Sequence, residues 1–306
     1  MPLGIFGFQA LWSPYFLFSV ASLTAIYFLL TTKWRHKFKD SEPLTTKQAS
    51  LFISTMIIVY IVKGSPVDII GHILFSIHMI QMAILYLIVP PILIASIPTY
   101  LWSAFINLPV VKPIFHFFTL PLIALILFNG VFSFYHVPSI FDAIKTHETL
   151  HITYTIVLFV FAIFMWWPLV NKLPGQYQLS GVKKIGYVFA DGILLTPACA
   201  LIIFADHPLY ASYADASVWL KAMSLCVPNG TLANLSLSGP ELFTNMPVVE
   251  DQQLGGVVMK VIQEIVYGVM LFQVFFQWFK KEQEDSDAIN EAALKAYQAN
   301  SPRTVE

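Results

Sequence analysis

The chain has 306 residues, of which 57% are hydrophobic, 15% aromatic and only 11% charged. Soluble domains carry about 25% charged residues, so these side chains cannot form the surface of a water-soluble enzyme. The composition also argues against a nucleic-acid-binding protein, because the formal net charge is -1 and no basic surface is present to neutralise phosphates. The composition predicts an all-α, polytopic membrane protein that contacts the lipid bilayer.

Seven stretches are apolar enough to be membrane-spanning helices, which need about 20 residues each. The predicted spans cover residues 14–32, 48–62, 72–97, 111–134, 150–170, 185–205 and 257–279. Pro90 and Pro91 are expected to kink or break the third span. We expect a seven-helix transmembrane domain over 1–279, which includes an outer loop at 206–256, and a charged cytoplasmic tail at 280–306.

The distribution of Lys and Arg predicts the orientation of the chain. Thirteen of the 17 basic residues fall in the first, third and fifth loops and in the tail. The other four are Lys63, Lys145, Lys221 and Lys260. Because cytoplasmic loops carry the excess of basic residues, the N-terminus is predicted to lie outside and the C-terminus in the cytoplasm.

Histidines mark the candidate site, since ionisable side chains near a span are costly and indicate function. Six of the eight are predicted on the outer side. His147 and His151 are four residues apart and would share one face of the fifth predicted helix, and His78 and Met82 have the same spacing on the third. Imidazole combined with thioether favours copper, and thioether selects Cu(I) over zinc.

We therefore predict a copper site at the outer ends of the third and fifth helices. Its first-choice ligands are His78, Met82, His147 and His151. The second choices are His72, Met79 and His136, where Met79 follows His72 by seven residues and would share its face of one helix. The prediction requires that the third and fifth helices lie side by side.

Two other functions fit parts of the same pattern. Residues 147–151 match the HExxH motif of zinc proteases, in which Glu148 would act as the general base. Such a site needs a third ligand, and the buried candidate, Asp191, is predicted near the opposite end of the membrane. A scaffold held together by histidine hydrogen bonds, without a metal, is the other alternative. Cys199 and Cys226 are candidate thiol ligands or a candidate disulfide.

Three sequence blocks, in this order, resemble the seven-helix CtaG family of Gram-positive bacteria, whose members are assembly factors for caa-type cytochrome c oxidase. The blocks are His78-Met79-Ile80-Gln81-Met82 followed by Pro90-Pro91 and Pro98, the His147/His151 pair followed by Trp166-Trp167-Pro168, and Asp251-Gln252-Gln253-Leu254-Gly255-Gly256. Together they cover most of the chain.

The resemblance implies a non-enzymatic protein of the plasma membrane that is needed for respiratory-chain biogenesis. It implies that the protein assists metallation of the oxidase, with copper as the suspected metal. The implied partners are the oxidase subunits, with a copper chaperone as a further candidate. The chain departs from the family pattern at Met82, where many relatives carry histidine. The family's ligand set is therefore not transferred to this position.

Overall fold

The computed structural model describes residues 3–227 and 239–300, and all regular secondary structure in these residues is helical. Five helical segments are long and apolar enough to cross a membrane, and three sharply bent helix pairs raise the number to as many as eight. The predicted all-α membrane fold is confirmed at this level.

Eight α-helices lie within residues 3–118. They are α1 (Gly7–Trp12), α2 (Pro14–Phe28), α3 (Thr46–Gly64), α4 (Pro66–Ile73), α5 (Phe75–Ala83), α6 (Val89–Ser96), α7 (Thr99–Ile106) and α8 (Val111–Phe118). Short 3-10 or π-helical turns lie at Leu3–Phe6, Leu29–Lys33, Arg35–Lys37 and Ile84–Ile88.

The described residues after 118 add seven α-helices. They are α9 (Pro121–Tyr135), α10 (Pro138–Lys145), α11 (Glu148–Val170), α12 (Gly181–Ile203), α13 (Ala211–Ala214), α14 (Ala216–Met223) and α15 (Val248–Asn300). A 3-10 turn at Pro240–Leu242 precedes α15. The last helix thus begins earlier than the predicted residue 257, and the segment predicted as an outer loop contains two short helices.

The third predicted span, 72–97, was wrong at its start. The chain is extended at Leu74, so α4 ends at Ile73 and α5 begins at Phe75. His72 and Met79 therefore lie on different helices and do not share a face.

The fourth predicted span, 111–134, is also divided. Pro121 occupies the first turn of α9, where its missing N–H costs nothing. Because the preceding residue, Leu120, is extended, α8 ends before this proline. Helices α7 and α8 form a pair bent by 111°.

Pro90 and Pro91 are accommodated within one continuous span, Phe75–Ser96, by the π-helical turn at Ile84–Ile88. Pro90 has no N–H to donate to the carbonyl of Tyr86, four residues earlier. The indole N–H of Trp166 donates to that carbonyl at 3.0 Å. The proline and tryptophan blocks of the sequence therefore meet at one hydrogen bond between the α5–α6 span and α11.

The α5–α6 span lies at the centre of the bundle, packed against α3, α11 and α15. Two glycines permit the close approach of α15. A Cβ at Gly255 would lie 2.7 Å from the ring of Phe75, and one at Gly256 would lie 2.7 Å from Ile203. These distances explain why the two adjacent residues of the third sequence block lack side chains.

Candidate metal centre

Side chains from six helices surround one small cavity where α3 ends and α5 and α11 begin. The lining residues are Lys63, His72, His78, Gln81, Met82, Tyr86, Tyr135, Lys145, His151, Thr155 and Leu158. The cavity volume is about 20 Å³, which is enough for about one water molecule or ion. The third and fifth predicted helices are thus neighbours at this cavity.

Four of the seven predicted ligands line the cavity together. His72, His78 and Met82 are all less than 7% exposed. The rings of His72 and His151 lie with their centroids 5.7 Å apart. Nδ1 of His151 is buried and has no hydrogen-bond partner among the described residues. Because buried polar atoms normally have partners, this nitrogen fits a cavity that holds an additional ligand.

The helix that carries His78 is capped by another helix. Leu74 precedes α5 and offers no capping side chain. Instead, the carboxylate of Asp251 on α15 accepts hydrogen bonds from the backbone N–H of Phe75 at 2.6 Å and of Ser76 at 3.3 Å. A carboxylate is favoured at a helix N-terminus, where N–H groups lack partners. The acidic residue of the third sequence block therefore fixes the start of α5.

Gln81 holds α5 against the bend between α3 and α4. Its Nε2 donates to the carbonyls of Val62 at 2.8 Å and of Val67 at 3.2 Å. The amide oxygen of Gln81 lies only 2.1 Å from the position that a Cβ on Gly71 would occupy. The bend is therefore packed around one glutamine side chain, which stands between the ligands of α4 and those of α5.

Three of the predicted ligands lie outside the cavity lining. Met79 packs against α15, near Gly255. His136 is buried, and its Nδ1 donates to the carbonyl of Phe132 at 2.8 Å. His147 is exposed, and its Nδ1 donates to the carbonyl of Ala143 at 2.8 Å. The structure does not bring these three side chains to His78, Met82 and His151.

His147 is separated from His151 by a difference in backbone conformation. It precedes α11 and has extended dihedral angles, φ -130° and ψ 113°. The rule that residues four apart share a helix face applies only within the helix. The HExxH arrangement is therefore not formed, since Glu148 is exposed and Asp191 is buried elsewhere. The Asp191 carboxylate accepts hydrogen bonds from Asn129 and Tyr267.

The segment after α12 packs against α4 and α10 and brings Cys226 to His72. Asp142 on α10 accepts hydrogen bonds from the backbone N–H of Ala211 at 3.0 Å and of Ser212 at 2.9 Å. The indole N–H of Trp219 donates to the carbonyl of His72 at 3.1 Å. These bonds fix the segment against α4 and α10, so that its end lies beside the imidazole of His72.

A second group of potential ligands lies on the other side of that imidazole. Sγ of Cys226 is 3.1 Å from Nε2 of His72, and a carboxylate oxygen of Asp68 completes a group within 4.8 Å. Burial raises the pKa of the Cys226 thiol to about 12. Cys226 and Cys199 are both free, so the candidate disulfide is not formed.

Two lysines lie beside both sets of potential ligands, the cavity lining and the group formed by Cys226, His72 and Asp68. Nζ of Lys63 forms a salt bridge of 2.5 Å with Asp68. Nζ of Lys145 lies 3.4 Å from Nδ1 of His72 and 5.4 Å from the ring centroid of Tyr213. Lys145 has no carboxylate partner among the side chains that the structure describes. From the sequence, the two lysines were counted only as outer-side charges, although a lysine beside an apolar stretch is itself a sign of function.

The described residues thus form a helical membrane protein in which imidazoles and a thioether line one cavity. The comparisons identify the family. The chain belongs to the cytochrome c oxidase caa3 assembly factor family (Caa3_CtaG), whose model matches residues 25–281. The family predicted from the three sequence blocks is confirmed. Comparisons with curated proteins and with solved structures gave no match.

Proposed function

We propose that this protein assists assembly of caa3-type cytochrome c oxidase in the plasma membrane by binding Cu(I) in the buried cavity and passing it to oxidase subunits. The proposal depends on one observation, the convergence of His72, His78, Met82 and His151 on a cavity of about 20 Å³. The role is that of a carrier, and no catalytic step is needed.

The chemistry of the donor set supports Cu(I) as the cargo. Thioether sulfur is a soft donor that selects Cu(I), and imidazole binds copper as the neutral ring. His78 and Met82 come from α5 and His151 from α11, so the ion would link two spans. A bound ion would also supply a partner for Nδ1 of His151.

The bent pair α7–α8 supports seven spans rather than eight. Each helix has eight residues, which is about 12 Å of helix against a hydrocarbon core of about 30 Å. The cavity also gathers the start of the α5–α6 span and the end of α9. The chain therefore crosses the membrane once through α5–α6 and returns once through α9. Helices α7 and α8 connect these two spans and make no further crossing.

The charge distribution supports an outer position for the cavity. Lys63 and Lys145, two of the four basic residues assigned to the outer side, line the cavity, so few basic residues remain in the outer loops. Because cytoplasmic loops carry the excess of basic residues, the N-terminus lies outside and the tail lies in the cytoplasm. The tail continues α15 as far as Asn300. The tail's last six residues fall outside the described ranges.

Cysteine labelling tests this orientation. In a Cys199→Ser, Cys226→Ser background, Ser41→Cys and Ser180→Cys should resist a membrane-impermeant maleimide in intact cells. Ala216→Cys, exposed at the start of α14, should react. Labelling at residue 41 from outside would reverse the orientation and put the cavity on the cytoplasmic side.

Matched histidine variants test the function itself. In a strain that lacks this protein, His151→Ala should fail to restore oxidase activity and oxidase copper, whereas His147→Ala should restore both. The two residues differ in position, since His151 lines the cavity and His147 does not. Full restoration by His151→Ala at normal protein levels would contradict the copper proposal and favour a scaffold without metal.

A further inference from the structure

Cys226, His72 and Asp68 form a group of donors separate from the cavity ligands. The two nitrogens of His72 face different neighbours, because Nδ1 lies 3.4 Å from Lys145 and Nε2 lies 3.1 Å from Sγ of Cys226. The cavity lining includes His72 but neither Cys226 nor Asp68. Thiolate and imidazole on this side of the ring could therefore hold an ion without using the other cavity donors.

We propose that Cys226 and His72 form a second Cu(I) position at the entrance to the cavity, through which copper exchanges between the outside and the cavity ligands. This inference rests on the proposed function and places Cys226, one of the two candidate thiols, in a defined site. It identifies the ligand nearest to solvent, since Cys226 is partly exposed whereas His72 is 2% exposed.

The geometry fits one ion bound between the two side chains. Metal–sulfur and metal–nitrogen distances of about 2.3 and 2.0 Å place two donors in line with one ion about 4.3 Å apart, against the observed 3.1 Å. An outward movement of the sulfur by slightly more than about 1 Å makes room for the ion. Cys226 closely follows the short α14, so this movement does not displace a membrane-spanning helix.

The charge balance selects a monovalent ion. Binding breaks the S–H bond of Cys226, the proton leaves to water, and the sulfur electron pair binds Cu(I), with no change of oxidation state. One positive charge replaces another, so the net charge of the buried group is unchanged. A divalent ion would add one positive charge beside Lys145 and Lys63, of which only Lys63 is paired with a carboxylate in the described residues. The site therefore prefers Cu(I) to Zn(II).

The Asp68 carboxylate balances charge at this position. Its Oδ1 is 2.5 Å from Nζ of Lys63, and a carboxylate is a hard donor that suits Cu(I) poorly. The sulfur of Cys226 and the imidazole of His72 thus supply the principal bonds. These two ligands are 154 residues apart in the sequence, so no local sequence motif predicts the site.

Anaerobic titration of the purified full-length protein with Cu(I), in competition with bicinchoninate, tests the inference. We expect wild type and Cys199→Ser to bind two Cu(I) ions and to show the ultraviolet absorption of a thiolate–Cu(I) bond. Cys226→Ser should bind one ion without that absorption, and its affinity for the second should fall by at least about tenfold. The buried Cys199 is the matched control, since it lies in α12.

A double variant separates this inference from the proposed function. His78→Ala, His151→Ala should keep the thiolate absorption and lose the other ion. If Cys226→Ser binds copper as wild type does, the entrance site is refuted while the cavity site stands. If the double variant also binds as wild type does, the proposed function is refuted as well. Zn(II) that displaces Cu(I) and abolishes the absorption of wild type would overturn the charge argument, and this measurement requires no variant.

Discussion

Replacing Asp251 tests how α15 positions the helix that carries His78 and Met82. In Asp251→Ala, the backbone N–H groups of Phe75 and Ser76 lose the carboxylate that caps α5. These groups are buried, and α5 has no capping side chain of its own. We therefore expect both a less stable protein and a poorly formed cavity.

The magnitude follows from the lost hydrogen bonds. Loss of a helix cap costs about 0.5–2 kcal/mol, and each buried donor left without a partner costs about 1–3 kcal/mol. Hydrogen bonds within membranes average only about 0.6 kcal/mol, which favours the lower part of the range. We expect Asp251→Ala to lower the free energy of unfolding by about 2–4 kcal/mol, and Asp251→Asn, which keeps one acceptor oxygen, by less.

Reversible unfolding in mixed detergent micelles, followed by tryptophan fluorescence, measures this difference. Glu250→Ala is the matched control, because Glu250 is the adjacent carboxylate and is exposed. It should change the unfolding free energy by less than about 1 kcal/mol. Asp251 does not cap α5 if Asp251→Ala is no less stable than Glu250→Ala, or if Asp251→Asn is the least stable of the three.

Other variants test further parts of the structure. Trp166→Phe should lower the free energy of unfolding by about 1–3 kcal/mol, because the carbonyl left free by Pro90 loses its donor; an unchanged unfolding curve would exclude that bond. Gly71→Ala should destabilise by about 1–3 kcal/mol through overpacking, whereas Gly130→Ala, whose Cβ meets nothing within 4 Å, should be neutral within about 0.5 kcal/mol. Glu148→Gln should leave oxidase assembly largely intact, and a loss as complete as that of a deletion strain, with the protein still in the membrane, would revive the metalloprotease interpretation.

Long apolar stretches could be read from the sequence, but the breaks between helices could not. Hydropathy treats Leu74 and Leu120 as parts of continuous spans, although the backbone is extended at both. Pro66 and Pro121, each in the first turn of a helix, are the local signals that could have located two helix starts. The break at Leu74 has no such signal, because the cap that starts α5 comes from Asp251.

The predicted grouping of the ligands depended on helical spacing, and it brought two of them to the cavity only where the helix was continuous. His78 and Met82 are both within α5, so their spacing of four residues brings both to the cavity. His147 and His151 have the same spacing, but the start of α11 lies between them. A single threonine before His147 gives no clear signal of that boundary.

The remaining site residues depend on contacts between distant parts of the chain. Cys226 reaches His72 because Trp219 and Asp142 fasten the intervening segment to α4 and α10. Lys145 ends α10, and its position beside His72 depends on the bend after α9. Neither arrangement has a periodic pattern, so sequence spacing alone could not predict it.

Two methionines provide the most direct test of the cavity as the copper site. Met82 lines it, whereas Met79, three residues earlier on the same helix, packs against α15. Replacement of either by leucine nearly conserves volume and should cost less than about 1.5 kcal/mol. The measurement is the Cu(I) affinity of each purified variant in competition with bicinchoninate. The account predicts that Met82→Leu weakens binding by about tenfold while Met79→Leu binds as wild type does, and equal affinities for the two variants would contradict it.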